Sequence, residues 1–259
     1  MQNVHCQRFE DRVSIITGAA HGIGRAYAHR LAAEGSKVVI ADLDEPGARV
    51  VADEIEADGG QALGVHCDVA DSASLEAMAA TTVETYGKID ILINNASMFS
   101  VVPMSRVGFE DIGEDEWDKM MKVNVAGTWL ACKAVVPEMR KNGYGKIVNI
   151  SSGTVHKGVP TRVHYVASKA AIIGFTRTVA RELGGDNITV NCIAPGGTLS
   201  EENPDPATVE ARKKKTGDRA IPRVQMPEDL VGAMAFLASS DSDFITGQTL
   251  IVDGGSAMI

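Results

Sequence analysis

The side chains best suited to chemistry lie within one short stretch of the sequence: Ser152, Tyr165 and Lys169. Tyr165 and Lys169 are four residues apart, so on a helix they lie on one face, one above the other. A tyrosine hydroxyl has an ordinary pKa of about 10, and a nearby ammonium lowers that pKa by favouring the phenolate. Most such pairs are solvated neighbours on a helix face, but Ser152, 13 residues before Tyr165, makes this stretch a candidate for proton transfer.

The elements that must position these residues are predicted from apolar patterns. Ser152 follows a strand-like run, and the residues after Lys169 continue as a helix. Strand-like and helix-like segments alternate along the chain, which predicts an α/β fold: a single-domain, doubly wound parallel sheet with helices on both faces, spanning 1–259. Strands are predicted at 12–17, 37–41, 61–66, 89–93, 146–150, 188–193 and 248–252, and helices at 22–34, 45–58 and 72–86.

A glycine-rich turn lies between the first predicted strand and the first predicted helix, with the spacing Gly18-x3-Gly22-x-Gly24. Such a turn directs backbone N–H groups and a helix N-terminus toward a pyrophosphate, and the strand and helix around it are the context that gives a glycine trio meaning. The irregular stretches 97–113 and 197–222 follow carboxyl ends of strands, where ligands bind in such sheets. The second stretch is the predicted lid region.

Together, these features resemble the signature of the short-chain dehydrogenase/reductase family, and the resemblance extends from Asp11 to Gly255. The glycine turn matches the TGxxxGxG form of that family rather than GxGxxG. The resemblance implies a Rossmann-type fold and hydride transfer between an alcohol and a ketone. In such a reaction a nicotinamide dinucleotide carries the hydride, and the protein supplies position and electrostatics.

The resemblance implies four catalytic residues. Tyr165 is the general acid/base, Lys169 favours its phenolate and holds the nicotinamide ribose, and Ser152 hydrogen-bonds the substrate oxygen and stabilises its developing charge. Asn124 matches the family's helix asparagine, which holds a water that links the lysine to solvent. The alternative for Asn124 is a helix asparagine that only bonds backbone.

Asp42 bears on the choice between NAD and NADP because it ends the second predicted strand, 18 residues after Gly24. A carboxylate there accepts hydrogen bonds from the adenosine ribose and repels a 2′-phosphate, so NAD is predicted over NADP. Asp44 is the alternative ribose contact, with Asp42 as a turn or capping residue. His21 and Arg25 argue for NADP, since NADP-dependent relatives often place a basic residue at the position of His21.

The resemblance implies further cofactor contacts in the glycine turn and at later strand ends. These are Gly18, His21, Gly22, Ile23, Gly24, Asp68, Val69, Asn95, Ala96, Pro195, Gly196, Thr198 and Ser200, besides Asp42, Tyr165 and Lys169. Ser97 replaces the last glycine of the family's NNAG motif, and Ser200 stands where the family has a threonine. Whether Thr198 or Ser200 bonds the cofactor stays open.

The substrate is predicted to be a secondary alcohol or ketone, since the motifs are similar to NAD-dependent aryl-alcohol dehydrogenases of the 1-phenylethanol type. His156, Met104 and Leu199 are the predicted pocket residues, and Met104, Phe109 and 199–219 are expected to cover an apolar substrate. The alternative is a 3-oxoacyl-thioester reductase, for which the basic run 212–215 would dock an acidic carrier protein; otherwise that run is a solvated helix face. A remoter alternative is a catalytically silent, dinucleotide-binding regulatory protein.

Composition limits the partners. The 259 residues carry a net charge of −9, which argues against nucleic-acid binding. The four cysteines show no metal-ligand spacing, and no metal is predicted. No apolar run reaches the roughly 18 residues of a membrane helix, and no signal peptide is evident, so a cytoplasmic protein away from membranes is expected. The resemblance also implies a homotetramer.

Overall fold

Seven parallel strands form one sheet in the computed structural model of the chain, which describes residues 7–99, 102, 104–201, 203–214 and 216–259. The strands are β1 (Val13–Thr17), β2 (Lys37–Asp42), β3 (Gln61–His66), β4 (Ile91–Asn94), β5 (Gly145–Ile150), β6 (Ile188–Pro195) and β7 (Thr249–Val252). Their order across the sheet is β3-β2-β1-β4-β5-β6-β7. The order reverses direction beside β1, and ligands bind in the crevice outside the carboxyl ends of strands at such a point.

Helices connect the strands. They are α1 (Gly22–Ala33), α2 (Glu45–Ala57), α3 (Ser72–Tyr86), α4 (Glu114–Met121), α5 (Gly127–Asn142), α6 (Thr154–Lys157), α7 (Val163–Leu183), α8 (Pro206–Lys214) and α9 (Glu228–Ala238), with a π-helical turn at Lys122–Ala126 between α4 and α5. Aspartates start two of them: Asp44 accepts a hydrogen bond from the Gly47 N–H, and Asp71 from the Ala73 N–H. Within the described ranges, no helix has the length and apolarity needed to cross a membrane.

The core lies on both faces of the sheet because successive strand residues point to opposite sides. Ile16 and Ile93 pack with α1, α2 and α9 on one face, whereas Ile15 and Leu92 pack with α3, α5 and α7 on the other. All four are inaccessible to solvent. The continuous apolar strands therefore belong to a sheet covered on both faces, and the predicted α/β fold is confirmed.

The fourth strand is predicted at 89–93 but begins at Ile91. Asp90 is buried and accepts hydrogen bonds from the Val13 N–H at 2.9 Å and the Arg12 guanidinium at 3.0 Å. Its side chain thus ties the entry of β4 to β1, and regular pairing starts one residue later.

The segment before β1 is held more tightly than its polar sequence predicts. Residues 1–6, including Cys6, lie outside the described part of the chain. Phe9 is only 1% exposed and its N–H bonds the Glu34 carbonyl, while Arg8 pairs with the Glu34 carboxylate at 2.6 Å. One buried ring in a polar stretch gives no periodic signal, so the sequence pattern alone does not reveal that residues 7–11 are held against the domain.

The three described cysteines are buried free thiols. Burial raises the pKa of Cys67 and of Cys132 to about 12 and that of Cys192 to about 11. They remain protonated and unreactive at neutral pH.

Candidate active site

One cavity of about 1320 Å³ runs along the carboxyl edge of the sheet. At one end it is lined by Asp42, Asp44 and Asp68, and at the other by Ser152 and Tyr165. The strand order places these residues together, because parallel strands end at the same edge. The cavity thus joins predicted cofactor residues and predicted catalytic residues in one site.

The glycine turn requires its glycines. Gly18 has φ +65°, and a Cβ there would lie 2.7 Å from the Cα of Ala96; Gly22 has φ +54°, and its Cβ would lie 2.8 Å from the Ser200 carbonyl oxygen. No side chain caps α1 within the described structure. The first N–H groups of α1, including that of Ile23, therefore have no acceptor within the helix and sit beside the cavity.

Asp42 and Asp44 form an acidic end wall. Asp42 accepts hydrogen bonds from the N–H groups of Ala20 at 3.0 Å and Asp44 at 3.1 Å. The Nε2 of His21 lies 2.8 Å from the Asp44 carboxylate, so the basic residue that argued for NADP is paired with an acid. Two hydrogen bonds lower the pKa of Asp44: the one from the Gly47 N–H has the larger effect and the one from His21 the smaller. The Asp44 carboxylate therefore stays ionised at neutral pH.

Asn95 holds the glycine turn to β4 through its own amide. Its Nδ2 donates to the carbonyl oxygens of Thr17 at 3.1 Å and Gly18 at 2.7 Å, and the Thr17 hydroxyl accepts from the N–H groups of Asn95 and Ala96. Gly24 packs behind this turn and is not among the described lining residues, whereas Asn95 and Ala96 are. Asn95 therefore braces the cavity wall.

Ser152, Tyr165 and Lys169 converge as their spacing predicts. The Lys169 ammonium donates to the Ile150 carbonyl at 2.9 Å, and the Ser151 hydroxyl donates to the Lys169 carbonyl at 2.7 Å. These two bonds fasten α7 to the end of β5. The Lys169 Nζ lies 5.9 Å from the centre of the Tyr165 ring, and both side chains are buried along the cavity.

The pKa of Tyr165 moves in the opposite direction from the sequence-based expectation. Burial raises it, and the hydrogen bond with Ser152 and the positive charge of Arg162 lower it by less. Burial also lowers the pKa of Lys169 to about 8. The expected lowering of the Tyr165 pKa does not occur in this structure, because burial dominates and both groups are removed from water in the same pocket.

Asn124 lies in the π-helical turn with its amide fully engaged. Its Oδ1 accepts from the Met98 N–H at 2.8 Å, and its Nδ2 donates to the Ser168 hydroxyl at 3.0 Å. The Ser168 hydroxyl in turn donates to the Tyr165 carbonyl at 2.8 Å. Asn124 therefore links the loop after β4 to the helix that carries Tyr165. The alternative from the sequence, a helix asparagine that only bonds backbone, does not describe its contact with the Ser168 side chain.

The segment after β6 carries the last predicted cofactor residues. Pro195, Gly196, Thr198 and Ser200 all line the cavity. The Thr198 hydroxyl donates to the Gly196 carbonyl at 3.2 Å, whereas the Ser200 hydroxyl bonds nothing within the described residues. Of the two hydroxyls, Ser200 has the freer one.

The predicted substrate pocket needs correction. Among the described residues, the cavity lining does not include His156, Met104 or Leu199. The Nε2 of His156 is buried without a partner, and Leu199 is buried beside Gln225, whose carbonyl accepts from its N–H. Met104 packs in the cluster around Met98 and Tyr165. Side-chain directions in loops depend on tertiary packing, which spacing does not encode.

Phe99, Val102 and Val159 supply the apolar wall instead. The Phe99 ring lies 5.2 Å from the Tyr165 ring at an interplanar angle of 41°. Phe99 was not predicted, although its place directly after Met98 in the irregular stretch 97–113 is a signal that could have pointed to it.

The lid region presents charge to the cavity rather than the expected apolar surface. Glu201, Arg212, Asp218 and Arg219 line it, and Phe109 is 72% exposed outside the lining. Arg212 pairs with Glu201 at 3.4 Å, so the basic run is in part a cavity wall; its last residue, Lys215, lies outside the described chain.

Arg162 and the pair Glu116–His164 complete the surroundings of Tyr165 and were not predicted as site residues. Arg162 directly precedes α7 and lines the cavity. His164 is fully buried, 3.2 Å from the Glu116 carboxylate, which also accepts from the Ser105 N–H at 2.6 Å. The spacing of three between Arg162 and Tyr165, one helical turn, is the signal that identifies the arginine.

Comparisons with known proteins bear on this arrangement. Residues 18–257 match the family described as enoyl-(acyl carrier protein) reductase. The chain is 38% identical to the short-chain reductase protein NovJ of Streptomyces niveus over 95% of this chain and 94% of that protein. It is 37% identical to the hydroxy(phenyl)methylsuccinyl-CoA dehydrogenase subunit BbsD of Thauera aromatica, over 96% and 98%. A solved mutant short-chain dehydrogenase/reductase of Serratia marcescens superposes with a TM-score of 0.87 at 32% identity, covering 97% and 100%.

Proposed function

The protein belongs to the short-chain dehydrogenase/reductase family, and we propose that it interconverts a secondary alcohol and a ketone with NAD as its cofactor. As a member, it is an oxidoreductase that acts on alcohol or ketone groups and uses a nicotinamide dinucleotide. The observation that carries the proposal is the convergence of Ser152, Tyr165 and Lys169 at one end of a cavity whose other end holds Asp42.

The cavity fits a dinucleotide. The open N–H groups at the start of α1, with Gly22 beside them, suit a pyrophosphate, and the free hydroxyl of Ser200 lies on the same wall. The acidic wall at Asp42 and Asp44 suits ribose hydroxyls and repels a 2′-phosphate, which supports NAD over NADP. Bound there, the dinucleotide supplies the hydride chemistry.

The protein's own residues handle the proton. With its pKa raised by burial, Tyr165 keeps its proton at neutral pH and suits proton donation to the oxygen of a ketone. The Ser152 hydroxyl, held by the N–H and hydroxyl of Thr154 at 3.3 and 3.0 Å, is placed to bond the same oxygen. Lys169 supplies positive charge from a fixed position at the Ile150 carbonyl.

An aryl or similarly apolar substituent fits beside the reacting group. Phe99, Val102 and Val159 form the wall next to Tyr165. The name of the relative BbsD, a dehydrogenase of a hydroxy(phenyl)methyl compound, supports a secondary alcohol with an aromatic substituent. The second candidate is reduction of a 3-oxoacyl thioester, favoured by the charged lid residues Arg212 and Arg219 and by the description of the matching family.

The test measures NADH and NADPH oxidation with an aryl methyl ketone and, separately, with an acetoacetyl thioester. We expect faster turnover of the ketone and a preference for NADH, and Tyr165→Phe should abolish turnover while NADH binding stays near the wild-type level. A preference for NADPH would contradict the role of Asp42, and faster thioester reduction would favour the second candidate. If the wild type is active and Tyr165→Phe turns over equally fast, the proton-transfer assignment is refuted. A wild type that binds NADH but reduces neither substrate would favour the silent regulatory protein.

We also propose that 1–259 is one domain acting as a homotetramer in the cytoplasm. The half-exposed Trp129 on α5 and Leu250 on β7 are apolar side chains suited to contacts between copies. Buried free thiols suit a reducing compartment. Light scattering of the purified protein measures the oligomeric state, and a monomer at micromolar concentration would refute the tetramer.

A further inference from the structure

Arg162 is placed at the reacting end of the cavity without a partner for its charge. It precedes α7 by one residue, lies three residues before Tyr165 and lines the same cavity. Its Nε is buried and has no hydrogen-bond partner. Across the described chain, Arg162 makes no ion pair and no side-chain hydrogen bond. A buried N–H group without an acceptor is costly and is normally satisfied by a partner.

The charges around Arg162 repel it. Burial lowers its pKa first, and the positive charges of Arg106 and Arg212 lower it further, while Tyr165 acts in the opposite direction. Two other basic groups that line the cavity are engaged: Arg212 pairs with Glu201, and Lys157 pairs with Asp218 at 3.3 Å. A guanidinium near other guanidinium groups gains most from an anion that reaches it.

The Arg219 guanidinium provides a comparison on the same wall. It donates to the carbonyls of Gly197 at 2.8 Å and Arg223 at 3.0 Å, so its donors hold the lid segment in place. Arg162, in contrast, lines the cavity and makes no such bond to the described residues. The fork of donors of a guanidinium matches the two oxygens of a carboxylate.

We propose that Arg162 binds a carboxylate of the substrate, so that the natural ketone or alcohol is an acid. This proposal rests on the proposed function and names its substrate class. Arg162 and Tyr165 line the same cavity, and the Arg162 charge acts on the Tyr165 hydroxyl, so a bound carboxylate lies at a short separation from the carbonyl that Tyr165 serves. A small aryl keto acid has both groups at such a separation, with its ring against Phe99 and Val102. The phosphate of a long thioester carrier arm lies much farther from its carbonyl.

The first experiment measures binding without turnover. Titration calorimetry on the full-length protein, with and without NADH, compares benzoate, benzamide and inorganic phosphate for wild type, Arg162→Gln, Arg162→Lys and Arg49→Gln. Arg49 is an exposed arginine that pairs with Glu45 on α2 and serves as the matched control. We expect the benzoate affinity to fall about ten- to hundredfold in Arg162→Gln, since hydrogen bonds to charged groups have about that weight.

Several results would overturn the proposal. Benzoate affinity in Arg162→Gln equal to wild type, or no binding of benzoate to the wild type, excludes a carboxylate site at Arg162. Equal losses of benzoate and benzamide affinity indicate a disturbed pocket rather than charge recognition. Binding of phosphate more tightly than benzoate contradicts the carboxylate assignment. Arg162→Lys, which keeps the charge but not the fork, should retain intermediate benzoate affinity, and Arg49→Gln should match wild type.

The second experiment separates this proposal from the proposed function. It compares reduction of 3-acetylbenzoate with that of 3-methylacetophenone, a neutral ketone of similar shape. We expect Arg162→Gln to raise KM about tenfold or more for the acid alone, with kcat changed less. If the wild type reduces neither ketone while benzoate binding depends on Arg162, the proposed function fails and the carboxylate site stands. If both ketones react equally in wild type and Arg162→Gln, the carboxylate site fails and the proposed function stands.

Discussion

We expect the buried charge of Lys169 to lower the free energy of unfolding, and replacement of Lys169 by methionine measures by how much. The side chain is 3% exposed, and burial lowers the pKa of its ammonium from 10.5 to about 8. At neutral pH, that difference corresponds to about 3 kcal/mol by which the buried charge destabilises the folded state. Lys169→Met keeps the apolar stem and adds no charge, but it loses the hydrogen bond to the Ile150 carbonyl, which is about 1.5 kcal/mol.

The net expectation for Lys169→Met is a gain of about 1–2 kcal/mol in the free energy of unfolding at pH 7. This corresponds to a rise of about 3–6 °C in Tm for a chain of this size. Turnover should be lost in the same variant. A residue that the fold retains at the expense of stability has its use in the site rather than in the core.

The pH dependence has a definite sign. Below about pH 8, Lys169 is protonated in both the folded and the unfolded chain, and the destabilisation is complete. Between about 8 and 10.5, the folded chain releases the proton while the unfolded chain keeps it, so wild-type stability rises with pH. The advantage of Lys169→Met should therefore shrink as the pH increases through this range.

Urea unfolding followed by tryptophan fluorescence at pH 7 and pH 9.5 measures both effects. Lys141→Met is the matched control, because Lys141 is an exposed lysine paired with Glu138, and its replacement should change stability by less than about 0.5 kcal/mol. The reasoning is refuted if Lys169→Met is less stable than wild type at pH 7, or if its advantage grows with pH.

Two further predictions concern the cofactor turn and the loop before α4. Gly22→Ala should lower the free energy of unfolding by about 1–2 kcal/mol through its positive φ and weaken NADH binding through the contact with Ser200. The control Gly143→Ala, at φ +61° with open space around it, should lower stability alone. Equal NADH affinities of the two variants in fluorescence titrations would contradict this. Glu116→Gln should lower stability by about 1 kcal/mol by weakening the bonds with Ser105 and His164. Hydrogen bonding from the Ser105 N–H lowers the pKa of Glu116, so this difference should be fully present above the ordinary pKa of 4.5 and decline as the pH falls from 4.5 through the lowered pKa of the folded state. A difference that grows as the pH falls would argue against it.

The sheet and its carboxyl edge could be predicted from the sequence because they depend on local patterns. Continuous apolar runs identify strands covered on both faces, and a strand end places Asp42 or Ser152 at the edge whatever the packing elsewhere. The glycine spacing was informative for a related reason, since the positive φ angles of Gly18 and Gly22 admit few other residues.

The substrate end could not be predicted in the same way. His156, Met104 and Leu199 lie in irregular segments, where one change in backbone direction turns a side chain from the cavity to the core. The predicted direction of the Tyr165 pKa shift was wrong, because the sequence spacing between Tyr165 and Lys169 indicates that they are close but not that they are buried. Desolvation becomes known only once the neighbours on every side have been placed.

The location of charge within the cavity matters more for recognition than the net charge of the chain. At −9, the protein as a whole repels anions at long range, so an acidic substrate gains no steering from the overall field. The acidic wall at Asp42 and the basic groups at Arg162 and Arg212 lie at opposite ends of one cavity. A dinucleotide whose ribose lies at the first end leaves the second end for the substrate, and there the Arg162 Nε has no partner among the described residues. Recognition of an anion must therefore arise from close contact with Arg162, after the substrate has entered and water has been excluded.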